Sequence, residues 1–92
     1  MYTIEPYTKE QAKKLNVIVK PSTRAGKKLD VYDSKGNYIT SIGDINYLDY
    51  PKYLKKYGKT IAEQRRKLYY IRHEKDRKIK GTAGYYASHL LW

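Results

Sequence analysis

Twelve tyrosines and no phenylalanine stand in a chain of 92 residues that holds only eighteen Leu, Ile and Val. That imbalance limits the interior the chain can build, because highly charged chains with less than roughly 20% large aliphatics tend to stay disordered. The tyrosines must therefore supply apolar area. Each ring brings a large apolar surface while its hydroxyl still needs a polar partner or water, so these residues suit half-buried sites and interfaces. An AT-rich genome, whose codons favour Tyr, Lys, Ile and Asn, would produce the same bias without any demand from the fold.

A chain this short buries only about 60–65% of the surface it exposes when unfolded, so residues 1–92 are expected to form a single small basic domain. The absence of cysteine removes disulfides, thiolate catalysis and the usual structural zinc sites, and fits an intracellular protein. Met1 to Ile18 contains no signal-peptide core, and nowhere do eighteen apolar residues run together. A soluble product without a membrane partner is expected.

The net charge is +11, and its placement says more than its size. Residues 1–50 carry eight Lys or Arg against six Asp or Glu, whereas residues 51–92 carry twelve against three. A one-signed field over half of a small body favours polyanionic partners, either nucleic acid or an acidic protein surface.

The local patterns predict an α+β fold: a small antiparallel sheet with a β-hairpin, followed by two to three short helices. Met1 to Pro6 reads as an extended lead-in that Pro6 stops. Thr8-Lys9-Glu10-Gln11 matches a capping box opening a helix to Leu15, which Asn16 can leave. Val17 to Val19 has strand character, and Ser22 to Lys28 reads as a basic loop or a phosphate-contacting arm. Lys28 to Asp33 and Tyr38 to Ile42 flank a turn containing Gly36, which predicts the hairpin. The Asp and Asn residues of that turn do not have the spacing of a calcium loop. Pro51 suits the first turn of a helix to about Tyr57, closed by Gly58, with Tyr50, Tyr53, Leu54 and Tyr57 on one face. Thr60-Ile61-Ala62-Glu63 matches a second capping box, opening a helix to about His73 whose buried stripe would be Ile61, Leu68 and Ile71 or Arg72. The charged segment His73 to Lys80 reads as a solvated helix end or loop. Tyr85 to Trp92 reads as a last helix or extended plug whose Leu90, Leu91 and Trp92 are tucked into a core or a partner.

The most distinctive stretch is Arg65-Arg66-Lys67-Leu68-Tyr69-Tyr70-Ile71-Arg72-His73. Helical spacing gathers guanidinium, phenol and imidazole on one face, suited to phosphate or carboxylate. The bland alternative is a solvated face whose arginine stems cover apolar surface. His73 and His89 have no acidic pair at a metal-binding spacing, and neither a phosphate-binding glycine loop nor a nucleophile elbow is present. Asp44, Asp49 and Glu63 with Arg66 could in principle assemble a metal-dependent nuclease, as scattered carboxylates can in almost any sequence. No catalytic residue, metal or cofactor is assigned, and the chain is expected not to be an enzyme.

Several runs together carry a resemblance: Lys28-Leu29-Asp30-Val31-Tyr32, Gly43-Asp44, Asp49-Tyr50-Pro51, Arg65-Arg66-Lys67-Leu68-Tyr69, Arg72-His73, Gly81-Thr82-Ala83-Gly84-Tyr85 and Leu90-Leu91-Trp92. The chain resembles a family of short basic proteins of large double-stranded DNA viruses, and over its full length looks like the version carried by crAss-like bacteriophages. The resemblance implies a minor virion component beside the capsid shell or portal vertex, present in the host cytoplasm during assembly. The expected function is that of an auxiliary structural protein docking on capsid or portal proteins. Arg65, Arg66, Tyr69, Arg72 and His73 would form its charged face, with Tyr85, Tyr86 and Trp92 as its apolar anchor. The alternative is a non-enzymatic DNA-binding protein acting on the phage genome.

Overall fold

The computed structural model describes residues 2–92, so Met1, the start of the expected extended lead-in, lies outside the described residues. Helix α1 (Pro6–Leu15) precedes strands β1 (Ile18–Pro21), β2 (Lys27–Tyr32) and β3 (Tyr38–Asp44), and helices α2 (Tyr50–Tyr57), α3 (Lys59–Arg72) and α4 (Ala83–Leu90) follow. The strands form one antiparallel sheet in the order β1-β2-β3, giving the small α+β fold expected. Leu29 pairs with Ile42 and Val31 with Thr40, and the register shifts between Val31 and Tyr32.

The hairpin turn is made by one side chain. Asp33 Oδ1 accepts from the backbone N–H groups of Lys35 and Asn37, each at 2.9 Å, while Gly36 takes the positive φ of +90° that the reversal needs. The preceding Ser22–Lys28 loop is fastened to β2. The Ser22 hydroxyl donates to Asp30 Oδ1 at 2.6 Å, and the Ser41 hydroxyl donates to the same oxygen from β3.

Neither expected capping box forms. Pro6 does not stop an extended segment but starts α1 two residues before Thr8, where its fixed φ and missing N–H cost nothing. Thr8 therefore sits inside the helix on its inward face, and its hydroxyl donates to the Leu90 carbonyl at 2.8 Å. Gln11 donates to the His89 carbonyl at 3.0 Å. At the second position, Gly58 closes α2 and opens α3 at once, so Thr60 is already helical. Two caps that do form belong to Asp49, which accepts from Lys52 N–H at the start of α2, and Thr82, which accepts from Tyr85 N–H at the start of α4. Asn16 ends α1 in the left-handed region, with φ 58°.

The core joins Tyr2, Ala12, Leu29, Val31, Ile42, Leu90 and Leu91, with Val17, Val19, Tyr86 and Ala87 packed around it. Helix α4 lies between α1 and β3, and the expected tucking of the C-terminal residues holds within the chain: Leu90 and Leu91 are fully buried. A helix leaves its last carbonyls without intrahelical partners. Here four successive ones, from His89 to Trp92, are met by Gln11, Thr8, the Tyr50 N–H and the Tyr70 hydroxyl.

Candidate docking groove

Below the junction of sheet and helices lies a buried polar node. Lys28 Nζ is 3.0 Å from Asp49 Oδ2, both side chains are almost wholly enclosed, and the Tyr2 hydroxyl donates to the same oxygen. Burial and then the Asp49 hydrogen bond push the Tyr2 hydroxyl far above the ordinary tyrosine range. A charged pair withdrawn from water needs further hydrogen bonds to be tolerable, and Tyr2 and the Lys52 N–H provide them.

Helix α3 packs in a different phase from that expected. Its buried residues are Ala62 and Tyr69, whereas Ile61, Leu68 and Ile71 face outward, Leu68 at 53% and Ile71 at 64% exposure. The reason lies in what α3 packs against. The Trp92 ring stacks on Tyr69 at 4.6 Å with planes 11° apart, and His73 stacks on Tyr69 at 4.3 Å. Arg66 lies over the Tyr50 ring at 4.1 Å and reaches both oxygens of Glu63, while Tyr70 donates to the Trp92 carbonyl. Flat rings and arginine stems bury broad area here with their polar ends satisfied, which branched aliphatics could not do beside a carbonyl and a carboxylate. The Tyr50 hydroxyl, then Arg66, holds the Glu63 carboxyl below its usual value. Burial, then the Asp76 charge, pushes the Tyr69 hydroxyl up to about 12.

The outward turn of α3 leaves a groove of about 700 Å³ between it and the sheet. Arg65, Leu68, Ile71, Arg72 and His73 form the α3 wall; Lys27 and Asp44 rise from the strands, Tyr47 and Leu48 from the connector, and Tyr69 with Trp92 from beneath. Of the residues expected at a partner site, Arg65, Tyr69, Arg72, His73 and Trp92 are brought together here. Arg66 lies behind the wall in its ion pair, and Tyr85 and Tyr86 are elsewhere: Tyr85 packs on His89, and Tyr86 against the core. The expected apolar anchor is therefore divided, with Trp92 bracing α3 and the two tyrosines on α4.

Tyr47 carried no signal in the sequence, since a connector tyrosine looks the same wherever the chain takes it, and Lys27 was marked only as one cation of the basic Ser22–Lys28 stretch. Tyr47 is 71% exposed at the groove. Among the described residues, no carboxylate lies within 4.0 Å of the charged ends of Lys27, Arg65 or Arg72. Arg65 instead stands over the Tyr53 ring at 5.7 Å. The arrangement thus combines exposed aliphatic surface with unpaired cations, which suits noncovalent capture of a partially anionic surface.

No family model, curated protein or solved structure matches the chain. Asp44, Asp49 and Glu63 do not gather: Asp49 is neutralised by Lys28, Glu63 by Arg66, and Asp44 accepts from the Asn46 N–H of its own turn. Among the described residues no group of three His, Asp or Glu could hold a metal ion, and no helix is long and apolar enough to cross a membrane.

Proposed function

We propose that this chain is a non-enzymatic docking protein, an auxiliary structural component of a phage virion applied to a capsid or portal-vertex protein through the outward face of α3. The observation that carries this reading is the stripe Ile61, Leu68 and Ile71, exposed to water with Arg65 and Arg72 beside it. Exposed aliphatics rimmed by charge, on a helix that already has a packed inner face, are the kind of surface that interfaces use. The Trp92 stack braces that helix from behind and gives it a fixed shape to present. The viral resemblance of the sequence supplies the setting: the virion, and the host cytoplasm during assembly.

Quantitative mass spectrometry of purified particles tests the proposal. The chain should appear at a fixed, reproducible ratio to the major capsid protein, and its absence would overturn the reading. The pair Leu68→Glu and Ile71→Glu should reduce incorporation at least tenfold while leaving circular dichroism and the urea midpoint close to wild type, because both side chains are exposed.

A second reading, DNA binding on the phage genome, is favoured by the unpaired cations and the basic C-terminal half. It requires a steep salt dependence, with affinity falling about a thousandfold or more over a fourfold rise in salt if six or more phosphates are contacted. A shallow slope removes it.

A further inference from the structure

We propose that the groove between α3 and the sheet seats an acidic, amphipathic peptide segment of the docking partner, with its carboxylates on Lys27, Arg65 and Arg72 and an apolar side chain against Leu68 and Ile71. This rests on the docking reading for the partner's existence, but the groove makes its own case. The basic residues of the helical half differ in what they face. Arg66 and Arg77 are engaged by Glu63 and Glu74, and Lys52 by Glu5. Among the described residues Arg65 and Arg72 have no such partner, and they line the groove opposite Lys27. Two walls whose cations are unpaired among the described residues, with Asp44 as the one acidic side chain among the described lining residues, complement a negatively charged occupant.

The lining also separates a peptide from a nucleic acid. Single-stranded nucleic acid is held by stacking bases on free aromatic faces. Tyr69 has none to offer, because rings stacked at 4.3 and 4.6 Å must occupy its two sides, and one face of Trp92 is spent on the same stack. The exposed ring of Tyr47 could take one base, but a single ring is no platform for successive bases. The aliphatic side chains of Leu68 and Ile71 give base edges and phosphates no hydrogen bond, yet they match the leucine or phenylalanine of a peptide. Arginine forks pair with carboxylates in two parallel hydrogen bonds. A volume of about 700 Å³ has room for more than one side chain of such a segment.

Trp92 is the single tryptophan of the chain and lines the groove, so its emission reports occupancy. The probe is a synthetic peptide about a dozen residues long, rich in glutamate with leucine at helical spacing. Titration into the full chain should give a saturable change in emission. Replacing the peptide's leucines by alanine should weaken binding about tenfold or more, as should Arg65→Glu with Arg72→Glu, or Lys27→Glu alone, with circular dichroism unchanged. No saturable response, equal binding by the alanine peptide, or tighter binding of an oligothymidylate of similar charge would each overturn the proposal. Particle incorporation of Lys27→Glu separates this inference from the docking reading. Uptake at the wild-type ratio sinks the groove and leaves α3 docking intact; absence of the wild-type chain from particles sinks docking, and the titration still decides the groove.

Discussion

Asp49 concentrates three duties in one carboxylate: it pairs with Lys28, accepts the Tyr2 hydroxyl and caps α2. Asp49→Ala would leave Lys28 charged and enclosed, a change of the kind that costs about 3–5 kcal/mol. Lys28→Met leaves Asp49 two donors and should cost less, an ordering that urea unfolding of the two variants will test. The glycines offer a matched pair. Gly43 has φ +80°, and a Cβ there would fall 2.9 Å from both Leu91 Cδ1 and Lys28 Cδ, whereas a Cβ on Gly36, at φ +90°, meets nothing within 4 Å. Gly36→Ala should therefore cost only the backbone term of about 1–2 kcal/mol, and Gly43→Ala distinctly more. Equal urea midpoints for the two would show that the Leu91 contact gives way freely.

At the scale of elements, α1 and α4 depend on each other through side chains the sequence offered for another purpose. Thr8→Val keeps the shape of the side chain but strands the Leu90 carbonyl, and should destabilise by about 1–3 kcal/mol with faster hydrogen exchange in the last turn of α4. Wild-type exchange rates there would mean the carbonyl finds another donor. The same residue explains where sequence reading succeeded and where it failed. The hairpin was legible because Asp33, Gly36 and Asn37 make their turn from adjacent residues. Both ends of α2 were legible because Pro51 at its start and Gly58 at its close act locally. Thr8 and Gln11 matched a local motif, yet Pro6 set the helix start and their true partners lie at His89 and Leu90. The phase of α3 was hidden for a similar reason. An aliphatic stripe normally marks the inside of a helix, and only the arrival of Trp92 and Tyr50 makes the Arg66–Tyr69 face the better-buried one. Arg65, Arg72 and His73 could be picked out from charge and spacing, while Lys27 and Tyr47 reached the groove only through tertiary structure.

For the molecule as a whole, acid should be the weak direction. Asp30 is held below the usual aspartate value first by Ser22 and then by Ser41, and Glu5 below the usual glutamate value first by Lys52 and then by Lys55. Both carboxyls are more acidic folded than unfolded. Their contribution is therefore complete above the unfolded values of about 3.9 and 4.3 and is lost as pH falls through the folded ones. The urea midpoint should drop on going from about pH 5 to pH 3, and Asp30→Asn should flatten the curve. A midpoint constant over that interval would contradict the assignment. The basic excess works in the same direction, since protonating the few carboxylates leaves the cations to repel one another.

The bond from Thr8 to Leu90 spans 82 positions of sequence, and it has a consequence for the order of events during synthesis. Translation delivers α1 first and α4 long afterwards, at about 5–20 residues per second. In that interval of several seconds the residues of the sheet and of the first helix are present but the element that closes them together is not. Leu29, Val31 and Ile42 then stand without their cover, so a ribosome paused before α4 would hold out a sticky, half-assembled sheet, and synonymous codons that slow the ribosome between α3 and α4 should lower the yield of folded protein.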